Sequence, residues 1–175
     1  MKSTRADLPD LGPEVGPTTR FHGTVYRALN PVWMRQPLSG EGARRHGGRF
    51  NPKGTPALYT ALTPEGAIAE ANQAGRPFEP VTLVAYLADL GPVLDATDPR
   101  QGIDPAVLAA DDWRLQMRQD GISAGQRLAQ GLIAAGWVGM IVPSFAPGVR
   151  LGARNLVLWR WEPGVQVIDT EGRLN

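Results

Sequence analysis

The chain has 175 residues and a formal charge of +1, enough for one domain that buries roughly two-thirds of the surface its unfolded form exposes, and too little net charge to draw it to nucleic acid as a whole. It has no cysteine, which excludes disulfides, thiolate nucleophiles and sulfur-ligated metals together. No stretch approaches the ~18 consecutive apolar residues of a membrane span, and the first twenty contain no apolar signal core, so a soluble cytoplasmic protein is expected.

Residues 1–20 carry Pro9, Pro13 and Pro17 with Gly12 and Gly16 and read as a tail without regular structure; the domain is expected over 21–175. Gly23 to Leu29 (GTVYRAL) reads as a strand and Ala57 to Thr60 (ALYT) as a second short one, with a Gly-rich loop between them. Thr63-Pro64-Glu65 is a helix start, with a hydroxyl cap, a proline where its missing N–H costs nothing, and an acid in the first turn. That helix is predicted to about Gln73, stopped by Gly75 and Pro77. Val81 to Leu90 is a β-branched and aromatic strand, broken by Gly91-Pro92 and resumed by VLDAT. Asp104-Pro105 caps a short helix, and residues 123–135 space their apolar side chains for another. Strands over 138–142, 155–161 and 165–169 close the chain. Early and late strands with helices between them predict an α+β domain.

Charge is unevenly placed. Arg35 to Lys53 holds five basic residues and one acid, residues 61–112 nine acids and two arginines, and residues 113–160 six arginines and one acid. If the two basic segments meet in space they form an anion site; otherwise they are solvated faces. No dinucleotide-binding G-x-G-x-x-G follows a strand and no P-loop is present. The two histidines, His22 and His46, have no ligand-spaced partners, so no metal site is assigned. Ser144, in V-P-S-F-A, lacks the glycines of a nucleophile elbow, which leaves a Ser144–His46 hydrolase a minor alternative.

Three residues stand out. Arg49 follows the Gly47-Gly48 pair, whose missing Cβ atoms let backbone approach a ligand, and its planar fork suits phosphate oxygens. Tyr59 ends a short strand, where its ring can stack on a flat heterocycle or belong to the core with its hydroxyl satisfied at the edge. Glu70 falls roughly 80° from the centre of the stripe Ala67, Ile68, Ala71 and Ala74, at ~100° per residue. It borders the core there, as a partly desolvated acid or as a solvated flank residue.

The runs YRA (26–28), SGEGARRHGGRFNPKGTPALYTALTPEGAIAE (39–70), VPS (142–144) and ARNLVLW (153–159) together resemble the RES-domain proteins, toxins of toxin–antitoxin pairs. The resemblance implies an α+β fold related to ADP-ribosyltransferases, with central antiparallel or mixed sheets flanked by helices. NAD+ is then the substrate, and its nicotinamide–ribose bond is cleaved by hydrolysis or phosphorolysis. Arg49, Tyr59, Glu70 and Ser144 take the catalytic positions. Arg27, Gly48, Arg49, Tyr59, Ser144 and Asn155 line the dinucleotide site, without a metal. The implied partner is an antitoxin with a helix-turn-helix domain that occludes the active site, often alongside a toxin homodimer; direct DNA binding by this chain is not implied. The chemistry agrees, because nicotinamide is already cationic and leaves as a neutral base. One carboxylate then suffices where ordinary glycoside cleavage needs two. Rival readings are a transferase that moves ADP-ribose to a protein, and a non-catalytic or RNA-directed binding module.

Overall fold

The computed structural model describes residues 19–72, 80–169 and 172; the predicted N-terminal tail up to residue 18 and the predicted stop of the Thr63 helix at Gly75 and Pro77 lie outside them. Seven strands, β1 (Phe21–Leu29), β2 (Leu58–Ala61), β3 (Thr82–Leu90), β4 (Val93–Asp95), β5 (Gly139–Pro143), β6 (Arg154–Leu158) and β7 (Val165–Val167), form one mixed sheet. Its order is β4-β5-β6-β2-β1-β3-β7. The α-helices are α1 (Glu41–His46), α2 (Pro64–Asn72), α3 (Pro105–Ala109), α4 (Trp113–Asp120) and α5 (Ala124–Ala134). This is the α+β arrangement expected, with α3, α4 and α5 between the early and late strands, while α1 and α2 are interleaved with β1, β2 and β3.

Local chemistry accounts for most of these boundaries. Thr63 Oγ1 accepts the Gly66 N–H at the start of α2, and Asp104 Oδ1 accepts the Ala106 N–H at the start of α3. Ser123 and Gln126 cap α5 reciprocally, each side chain on the other's backbone N–H. The segment after Gly91-Pro92 does not resume β3. β3 lies beside β7 at one end of the sheet, whereas β4 pairs in parallel with β5 at the other. Two residues are too short to span the strands between, so the sheet curls until its ends meet, with Leu90 and Val93 in one core cluster.

Two elements depart from the pattern of the sequence. Residues 41–46 form α1 inside the expected loop. Glu41 accepts from both Arg44 and Arg45 at 2.7 Å, the i,i+3 and i,i+4 spacing that supports a short helix. α4 is hidden in the sequence because Trp113, Leu115 and Met117 recur every second residue, an extended period; of α4 only Trp113 is buried.

The sheet is weakly joined at one seam. β1 and β3 pair along nine residues, from Phe21↔Leu90 to Leu29↔Thr82, but β1 and β2 share only Tyr26↔Ala61. One core packs α5 and α3 on β4, β5 and β6 around Leu132, Met140 and Trp159. The other surrounds Val25, Tyr86 and Leu158. The single pairing between β1 and β2 leaves a wedge beyond Tyr26, walled by Arg27 to Leu29 on one side, Tyr59 and Thr60 on the other, and Ala67 and Ala71 of α2.

Candidate active site

The loop at 47–51 is fixed by buried polar groups. Gly48 N–H donates to Asn51 O at 2.9 Å. The fully buried Asn51 side chain donates to Ala43 O and Thr55 O and accepts the Tyr59 hydroxyl at 2.7 Å. The Phe50 N–H donates to the same hydroxyl at 3.0 Å, Gln126 donates to Gly48 O and Asn51 O, and the Trp159 indole donates to Phe50 O. A Cβ at Gly48 would meet Tyr59 Oη at 2.5 Å and Asn51 Oδ1 at 2.6 Å. Gly48 therefore makes room for the tyrosine behind the cleft, whereas the sequence suggests ligand approach as the reason for its missing Cβ. Gly47, at φ +72°, ends α1.

The Tyr59 hydroxyl is satisfied inside, as expected of a core tyrosine, and its ring lines the cleft. Burial pushes the phenol above its ordinary value of 10.0, against the opposing pull of the Phe50 N–H and the Arg49 charge. Since the folded pKa is raised, the stability from the protonated hydroxyl is fully present below the unfolded value and declines as pH rises beyond about 10. Tyr59→Phe, which strands Asn51 Oδ1 and the Phe50 N–H, is expected to cost roughly 2 kcal/mol in urea unfolding at neutral pH. It should also flatten the alkaline limb of the stability profile.

Arg49 points from this loop into a cavity, with its side chain 19% exposed. Nη1 donates to Leu108 O at 3.1 Å, the guanidinium lies 5.2 Å from the Phe145 ring centroid, and Nη2 is 3.6 Å from Asp111, a carboxylate 93% exposed. Arg44 and Arg45 turn away to Glu41, whose carboxyl they hold down at about 2. The two basic segments do meet, but through Arg49 and Arg114, which line one cavity.

Glu70 sits closer to the sheet than the expected stripe implies. Ile68 is 41% exposed, and the buried residues of α2 are Gly66 and Ala67; Ala74 lies outside the described residues. Centred on 66, 67, 70 and 71, the sheet-facing side puts Glu70 roughly 30° from its middle. Oε1 accepts from Ser144 Oγ at 2.7 Å and from Asn155 Nδ2 at 2.6 Å, while among the described residues Oε2 carries no hydrogen bond. Asn155 is on β6, paired with Ala61 and Val142. Ser144 follows β5, its N–H held by Ala153 O. Ser144 therefore engages Glu70 and not Arg49. Ser144→Ala removes one of two charge-assisted bonds to Oε1; we expect kcat for the reaction proposed below to fall about tenfold with KM little changed, measured by steady-state kinetics.

Arg49 and Glu70 line the same cavity of about 180 Å³, with Phe50, Tyr59, Trp113 and Phe145 among its walls. A second, of about 210 Å³, occupies the wedge between β1 and β2 and shares Tyr59, Glu70 and Asn155 with the first. They are two lobes of one cleft with Glu70 at the junction. Arg27 lines the second lobe and donates to Pro37 O at 2.9 Å. Burial lowers its pKa, partly opposed by Tyr86, and no carboxylate pairs with it among the described residues. Six of the seven expected site residues, all but Gly48, line the cleft or bond to a residue that does. Sequence reasoning missed Trp113, Arg114 and Phe145. Phe145 adjoins Ser144 and could have been found there; the other two lie on α4, whose pattern does not read as a helix.

The family model described as RES domain matches residues 24–174. The chain belongs to the RES-domain family. This RES-domain chain is 34% identical over 156 residues to "NAD(+) phosphorylase MbcT" of Mycobacterium bovis (strain ATCC BAA-935 / AF2122/97), covering 79% of this chain and 82% of that protein. The protein of the same description from Mycobacterium tuberculosis (strain ATCC 25618 / H37Rv) matches to the same extent. Among solved structures, the crystal structure of the M. tuberculosis MbcT–MbcA toxin–antitoxin complex superposes with a TM-score of 0.63 at 25% identity, covering 86% of this RES-domain chain and 84% of that one. Among the described residues, no helix is long and apolar enough to cross a membrane, and no group of three or more His, Cys, Asp or Glu is placed to hold a metal ion.

Proposed function

We propose that this chain is the toxin of a toxin–antitoxin pair and destroys NAD+ by phosphorolysis. In this reaction the bond from the ribose anomeric carbon to the nicotinamide nitrogen breaks, its electron pair leaving with nicotinamide as a neutral base. An oxygen of inorganic phosphate forms the new bond to that carbon, giving ADP-ribose 1″-phosphate. The observation that carries the reading is the carboxylate of Glu70, anchored through Oε1 by Ser144 and Asn155 at the junction of two lobes, with Oε2 left for substrate. A fixed negative charge at that point stabilises the positive charge that develops on the ribose as nicotinamide departs. Because the anchoring donors are already in place, little reorganisation is needed as the charge forms.

In this reading Glu70 acts on the nicotinamide ribose and Arg49 grips the pyrophosphate. Tyr59 packs its ring on the nicotinamide end, and Ser144 is a positioning residue for Glu70. Arg27 and Asn155 complete the walls. The names of the relatives support phosphate as the acceptor. The solved complex supports an antitoxin partner, which we take to carry a helix-turn-helix domain and to cover the cleft, so that DNA contact falls to the antitoxin.

The test is product identification. Purified protein with NAD+ and inorganic phosphate is expected to yield nicotinamide and ADP-ribose phosphate in equal amounts by mass spectrometry. ADP-ribose alone would make water the acceptor, a mass increase on added lysate proteins would make it a transferase, and intact NAD+ would overturn the reading.

A further inference from the structure

The first lobe contains a second arginine to which the proposed reaction assigns no role. Arg114, at the start of α4, lies with its guanidinium carbon 4.3 Å from the Trp113 ring centroid and lines the same cavity as Arg49. Trp113 is only 8% exposed, so it is a fixed platform, and a guanidinium stacked on an aromatic face is oriented without spending its N–H donors. The nearby carboxylates are otherwise engaged. Asp112 accepts from Gln116 at 2.8 Å, and Asp111 lies 3.6 Å from Arg49. Among the described residues no carboxylate is within ion-pair distance of Arg114. By contrast, Arg20, Arg44, Arg45 and Arg100 each have one at 2.6–2.7 Å.

Arg49 is held in the same manner, over Phe145. Two like charges facing one cavity repel; Asp111, 3.6 Å from Arg49, offsets part of that repulsion from the solvent side, and an anion entering between the two guanidinium groups relieves more of it. The second lobe differs, being walled mainly by Ala28, Leu29, Ala61, Ala67 and Ala71 around Tyr26 and Arg27. Resting on the phosphorylase reading, we propose that Arg114 and Arg49 together form a two-guanidinium subsite for phosphoryl oxygens in the first lobe. The reaction brings two sources of such oxygens, the pyrophosphate of the dinucleotide and the inorganic phosphate that attacks.

Calorimetric titration without turnover separates the two sources. Wild-type, Arg114→Ala and Arg114→Lys proteins are titrated with inorganic phosphate alone and with ADP-ribose alone. We expect Arg114→Ala to weaken one of the two ligands tenfold or more. Arg114→Lys should recover only part of that loss, since lysine keeps the charge and not the fork. A loss confined to phosphate assigns the subsite to the attacking anion, and a loss confined to ADP-ribose assigns it to the pyrophosphate. Affinities for both ligands within twofold of wild type in Arg114→Ala, or no binding of either by the wild type at millimolar concentrations, would overturn the proposal. Arg114 is exposed, so an unchanged melting temperature is the expected control. NAD+ turnover is scored separately: lost phosphate affinity in a protein that never cleaves NAD+ keeps the subsite and rejects the phosphorylase.

Discussion

Glu70→Gln is expected to lower kcat for NAD+ cleavage by about 10² or more, equivalent to about 2.7 kcal/mol of transition-state stabilisation, while the melting temperature stays close to wild type. The substitution keeps the side chain's shape, and the amide oxygen can still accept from Ser144 Oγ and Asn155 Nδ2, which now meet at Oε1. What disappears is the negative charge beside the ribose. Because that charge matters most as nicotinamide leaves, the loss should appear in kcat and in kcat/KM alike. Stopped assays of nicotinamide release measure it directly. Turnover within threefold of wild type in a folded Glu70→Gln protein would remove this carboxylate from the reaction.

Gln126→Ala is the substitution expected to damage stability most among the polar residues supporting the site. Gln126 is fully buried; its oxygen accepts the Ser123 N–H, and its Nε2 donates to Gly48 O at 2.9 Å and to Asn51 O at 3.2 Å. Truncation loses half of the α5 capping box, strands the Ser123 N–H in the interior, and leaves Gly48 O and Asn51 O with only each other's backbone N–H. We expect a loss of roughly 3 kcal/mol, seen as a fall in Tm on the order of 10 °C. Gln126→Glu, similar in shape, should be no better, because a carboxylate oxygen would then face two carbonyl oxygens. Since the same bonds hold the loop that aims Arg49, KM for NAD+ should rise in whatever folded fraction remains. Denaturant melts and kinetics on both variants check the two effects together.

The features legible in the sequence are those with local causes. Thr63-Pro64-Glu65, Asp104-Pro105 and Ser123 announce helix starts through capping chemistry that acts within three residues, and all three helices begin there. The β-branched run of β3 announces a strand for the same reason. The order of Arg49, Tyr59 and Glu70 along the chain is enough to single them out.

The rest depends on partners distant in sequence. Ile68 reads as core because it is apolar, yet it is 41% exposed, and counting it rotates the helix so that Glu70 falls at the edge of the buried face. That Ser144 and Asn155 converge on one oxygen of Glu70 is set by β5 and β6 pairing in register, Val142 opposite Asn155. The opening of the cleft follows from β1 and β2 sharing a single paired position, which no local pattern encodes. Gly48 shows a limit of another kind. A glycine beside an arginine suggests ligand approach, whereas the space it leaves is filled by Tyr59 and Asn51.

The most direct measurement is a crystal structure of the Glu70→Gln protein soaked with NAD+. We predict the dinucleotide lying across both lobes, its nicotinamide ribose within hydrogen-bond distance of residue 70 and its pyrophosphate oxygens on the Arg49 guanidinium. A dinucleotide bound on another face, or one in the cleft with residue 70 remote from the ribose, would contradict this.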